Sequence, residues 1–99
     1  MNWKREINGY YEPVDTLIID DNSSHMIVVQ SLNKGYSYCV RYYINDFVEL
    51  KETIKAKDME EARSIAVDIV KMRIRSHILY WERIRNAFEN EVSNLETVD

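Results

Sequence analysis

Between residues 14 and 55, apolar and polar positions alternate in short runs; from residue 58 onward, apolar positions recur every three or four. The first pattern belongs to strands and the second to a helix. Residues 14–20 are rich in β-branched side chains and read as a strand, closed by Asp20, Asp21, Asn22, Ser23 and Ser24. Residues 25–32 read as the next strand, whose continuous apolar centre fits a middle position. Asn33, Lys34 and Gly35 make a turn in which Gly35 is expected to be left-handed. In residues 36–44 the alternation is plain. Tyr36, Tyr38, Val40, Tyr42 and Ile44 share one face, and Ser37, Cys39, Arg41 and Tyr43 the other. Asn45 and Asp46 form a tight turn, and residues 47–55 read as a further strand. Turns this short favour consecutive antiparallel pairing. Upstream, Asn8 and Gly9 are a strong turn signal, and Trp3 and Ile7 fit either a short helical turn or a strand edge. The Trp3 ring is expected to pack on the core.

Asp58 opens the helix as a capping acceptor, with Glu61 three residues later. No Gly or Pro follows, so a helix is expected over residues 58–95. Such a helix is roughly 50 Å long, whereas an eight-residue strand covers about 27 Å. The distal half must therefore overhang, fold back after a break, or pair with another chain. Ala62, Ile65, Ala66, Ile69 and Met72 form the stripe expected to dock on the sheet. A second seam repeats every seven residues through Val67, Ile74, Trp81, Phe88 and Leu95, with Val70 and Ile84 between. His77 and Glu91 interrupt the intermediate position. The expected fold is α+β: an antiparallel β-meander of three to four strands packed on one long C-terminal α-helix, in a single domain over residues 1–99.

Composition changes this picture little. The chain has 99 residues, 45% of them apolar, and a net charge of -4, enough for one core and no second. Its single cysteine, Cys39, sits in an apolar run and reads as a buried thiol. Residues 1–6 have no apolar run behind them, so no signal peptide is read, and no membrane span is expected. A cytoplasmic location follows as the expectation.

The candidate chemistry is sparse. Asp15, Asp20 and Asp21 lack calcium-loop spacing, and His25 and His77 lack partners at metal-ligand spacing, so neither metal nor cofactor is expected. No nucleophile, phosphate-loop or dinucleotide motif appears, and the chain reads as non-enzymatic. Lys71, Arg73, Arg75, Arg83 and Arg85 put a basic band on the helix, the candidate nucleic-acid contacts. Ile74, Ile78, Trp81, Ile84 and Phe88 are the candidate contacts for a protein partner or a second copy. Asp20, Asp21, Glu49 and Glu52 are candidate phosphate mimics.

The piece from Tyr36 through Val40 to Tyr43, continued by residues 53–63 with their Asp58-Met59-Glu60-Glu61-Ala62-Arg63 helix opening, resembles a three-strand-plus-helix unit. That unit recurs in small phage and prophage proteins and in the arm-binding domains of phage-type integrases. Here Asp46, Glu49, Glu52 and Arg41 make the sheet charge mixed. In size, acidity and motif content the chain is also similar to small inhibitors of bacterial defence nucleases, the anti-CRISPR proteins. The resemblance implies a protein of phage or mobile-element type that binds a protein partner, a CRISPR-associated nuclease, by occlusion or nucleic-acid mimicry; the surplus apolar seam adds the expectation of a homodimer through the distal helix. The alternative is a small nucleic-acid-binding or regulatory module that uses the basic band.

Overall fold

Alternating runs joined by short turns pair with their sequence neighbours. In the computed structural model, which describes residues 2–7, 9, 12–20, 24–32 and 36–96, they form one antiparallel sheet. Its strands are β1 (Trp3–Ile7), β2 (Pro13–Asp20), β3 (His25–Ser31), β4 (Ser37–Ile44) and β5 (Phe47–Lys55), ordered β1-β2-β3-β4-β5 and followed by α1 (Met59–Glu96). The fold is the expected α+β meander with one long helix, but among the described residues the strands number five. The additional strand is β1. Its Trp3 pairs with Leu17, and its Ile7 with Pro13. Lys4 and Glu6 alternate with Trp3 and Ile7, so its apolar content is too thin to announce a strand; the open edge of β2 completes it.

The turns are built by positive φ. Asn45 (51°) and Asp46 (68°) make the two-residue link between β4 and β5, the geometry that matches strand twist. Gly35, like Asn8, Tyr10, Tyr11, Asp21 and the Asn33–Lys34 part of its turn, lies outside the described residues. Tyr36, expected at the head of a strand face, instead occupies the turn with φ 61°.

One face of the sheet carries the core. Leu17, Ile27, Val29, Tyr38, Val40, Tyr42 and Leu50 are buried there with Ala56, Ala62, Ala66 and Val70. Trp3 packs against this cluster, as its area favours. Tyr38, Val40, Tyr42 and Ile44 face the helix as the alternation requires, while Cys39 is buried on the other side, paired with Gln30 and Thr53.

The helix starts where its cap places it: Asp58 Oδ1 accepts a hydrogen bond from the Glu61 amide at 2.9 Å. Ala62 and Ala66 have no exposed surface, so the helix axis comes close to the sheet, and Val70 ends the docked stripe. Met72 does not belong to it; it is 70% exposed. Two residues beyond Val70 is about 200° around the axis, which swings Met72 out of the docked stripe to the helix flank, at the rim of a groove with Leu50 and Ile69. The docked part is thus shorter than expected.

Beyond Val70 the helix continues unbroken to Glu96 and rises about 39 Å further. The molecule measures 69 × 27 × 21 Å with a radius of gyration of 18.8 Å, against about 13 Å for a compact chain of this length. Of the three options for the distal half, folding back is excluded. Among the described residues no helix is long and apolar enough to cross a membrane.

Candidate functional site

Once the helix passes the end of the sheet, its underside and the sheet's end enclose a cleft of about 550 Å³. His25, Tyr42 and Ile44 form the sheet wall. Arg73, Ile74, His77, Ile78, Trp81, Glu82 and Arg85 form the helix wall. The sheet wall exists because β3 begins, and β4 ends, at the same edge: Ile27 pairs with Tyr42, so His25 and Ile44 extend past it on the same face. The lining is mainly apolar, with cations Arg73 and Arg85 among it.

Tyr42 is the floor. It is only 1% exposed, its hydroxyl hydrogen-bonds His25 Nε2, and the two rings lie 5.1 Å apart, tilted by 50°. Burial, and then the negative charge of Glu49, push the Tyr42 phenol above its ordinary value. Glu49 is carried to this place by a bulge in β5, between the Tyr42–Leu50 and Tyr43–Val48 pairs.

The raised phenol has a testable consequence. Below about pH 10, Tyr42 is protonated in both folded and unfolded chains. Above it the unfolded chain loses the proton first, so stability falls with rising pH. Urea unfolding at pH 9, 10 and 11 is expected to show this decline in the wild type and a shallower one in Tyr42→Phe. Identical slopes in the two proteins would rule the effect out.

The candidate contact residues on the helix are brought together only in part. Ile74, Ile78 and Trp81 line the cleft; Ile84 and Phe88 continue the same stripe beyond it. Trp81 is 63% and Phe88 68% exposed, with Tyr80 edge-on to Trp81 at 5.8 Å. The side chain of Leu95 lies outside the described part.

The basic band is not one face. Arg73 and Arg75 are about 200° apart around the axis, as are Arg83 and Arg85, and Lys71 is turned away from Arg73. Only Arg73 and Arg85 share the cleft. The candidate phosphate mimics are dispersed as well. Asp20 ends β2 and Glu49 lies in β5, three strands across the sheet. Glu52 lines a shallow groove with Leu50, Ile69, Met72 and Arg73, and Asp21 falls outside the described residues.

Asp15, grouped with Asp20 and Asp21 in the sequence, is five residues from Asp20 along β2, about 17 Å. It is buried at 1% exposure between β1 and the helix. Arg5 grips both its oxygens, at 2.7 and 3.1 Å, and Arg63 Nε stands 3.5 Å away. Arg63 also lies over the Trp3 ring, 5.8 Å from its centroid. The carboxylate raises the Arg5 guanidinium further above its ordinary value, through their hydrogen bond first and their charges second. This cluster fastens β1 and α1 to β2.

His25, Tyr42 and His77 were not foreseen as parts of one site. They lie on separate elements, and no spacing in the chain announces their meeting. Among the described residues, no group of three or more His, Cys, Asp or Glu is placed to hold a metal ion. No protein-family model, curated protein or solved structure matches the chain.

Proposed function

We propose that this protein is a non-enzymatic binding protein whose overhanging helix holds another protein, and that it acts by occlusion. The observation that carries this reading is the length of exposed helix beyond Val70, which keeps Ile74, Ile78, Trp81, Ile84 and Phe88 in water. Contiguous apolar surface of this kind marks interaction sites, and aromatic anchors dominate the energy of such contacts. A helix stub gains little from its own propensity in water, so a partner also supplies its stability.

The partner class is a bacterial defence nuclease, and the setting is the cytoplasm of a host cell. Net charge of -4 suits docking near a basic nucleic-acid channel. The dispersal of Asp20, Glu49 and Glu52 favours steric blocking over a mimic of regularly spaced phosphates.

Expressed in cells that carry CRISPR immunity against a phage, the chain is expected to restore plaque formation at least a hundredfold for one nuclease type. Trp81→Ala combined with Phe88→Ala should abolish that rescue. No rescue with any nuclease type sinks the defence-inhibitor reading. Duplex binding at low salt, lost on Arg73→Ala and Arg75→Ala, would support the nucleic-acid alternative instead.

A further inference from the structure

We infer that the occupant of the cleft and the distal seam is a second copy of this chain, with its helix running antiparallel. This rests on the reading of the overhanging helix as a protein-binding element, and makes the pair of chains, rather than the single chain, the unit that occludes the nuclease.

The seam has the geometry of a helix–helix interface. At about 100° per residue, Ile74, Ile78, Trp81, Ile84, Phe88 and Val92 fall within an arc of roughly 120°. That arc continues the buried stripe at Val70 and faces the cleft, because Ile74, His77, Ile78 and Trp81 line it opposite His25, Tyr42 and Ile44. The space under the overhang is therefore open at the level where the sheet layer stops.

Charge identifies what fills it. Residues 71–85 hold the cations Lys71, Arg73, Arg75, Arg83 and Arg85 against the single carboxylate Glu82. Residues 86–94 hold Glu89 and Glu91 and no cation. The distal helix is thus complementary to its own reverse. Antiparallel pairing about a two-fold axis between Trp81 and Ile84 sets each Trp81 against the second copy's Ile84. It carries the second copy's Phe88 over His77 and Ile78, into the cleft, with Glu89 and Glu91 among Lys71, Arg73 and Arg75. A parallel pair would place like charges side by side and leave both clefts empty.

The pairing is closed and isologous, as a two-fold dimer must be. About seven turns of paired helix, with two filled clefts, amount to an interface of standard size, about 1,200–2,000 Å² in total. Each cleft is completed only by the other copy.

Sedimentation equilibrium of the full chain between 1 and 100 μM is expected to give twice the 11.8 kDa chain mass, and Trp81→Ala to weaken the dimer at least tenfold. Geometry is read by mild oxidation of two cysteine variants in the dimer. Ile84→Cys, beside the axis, should crosslink to its own copy. Val92→Cys, about 28 Å from its counterpart along the axis at 1.5 Å per residue, should not. A monomer throughout the concentration range overturns the proposal, as does equal crosslinking of both variants, which means parallel pairing. A monomer that still rescues phage through Trp81 and Phe88 would overturn self-pairing alone and leave the binding-protein reading standing.

Discussion

Replacing Arg5 and Arg63 together with alanine is expected to destabilise the protein by about 3–5 kcal/mol, the range for leaving a buried charge without its partners. Asp15 would remain at the junction of β1, β2 and α1 with neither guanidinium beside it. A single replacement should cost about 1–2 kcal/mol, because the other arginine stays on the carboxylate. The sharper measurement is rescue. Asp15→Val added to the double variant removes the stranded charge and places a β-branched side chain opposite Val29, a position that already faces the core. Most of the lost stability should return, since apolar replacements of buried ion pairs are often neutral or better. Urea midpoints of the wild type, the two single variants, the double and the triple decide it. A triple variant no more stable than the double would show that Asp15 is not the source of the loss.

Tyr42→Ala should be comparably severe, about 3–5 kcal/mol, as expected for truncating a large buried ring. Its ring lies between Ile27 and Leu50 on the neighbouring strands and forms the floor under the cleft. Against a typical total of about 5–15 kcal/mol, either change can unfold the protein at 37 °C. Tyr42→Phe is the informative control. It keeps the ring and loses only the hydroxyl bond to His25, for about 0.5–1.5 kcal/mol. If Tyr42→Ala cost no more than Tyr42→Phe, the ring would not be part of the core.

Local rules carried most of the architecture. Period-two alternation in β4 placed Tyr38, Val40, Tyr42 and Ile44 on the helix side, because a strand gives each side chain only two directions. Asp58 announced the helix start through the amides it satisfies. Helix phase was harder to read. Val70, which the seven-residue spacing places in the distal seam, is the last docked residue, and Met72, which the stripe places on the sheet, lies exposed on the helix flank. The two stripes lie on adjoining sides of one helix, so their boundary depends on where the sheet ends.

By itself the sequence determined the strand–turn rhythm, the capped helix and a helix too long for its sheet, since these follow from backbone period, capping and rise per residue. Tertiary structure alone decided that Trp3–Ile7 pairs as an edge strand and that Asp15 is a buried junction rather than part of an acidic cluster. It also decided that His25 and Tyr42 meet His77 and Trp81 across a cleft. Each of these depends on which distant surfaces are left open for pairing, and no local pattern of residues encodes that.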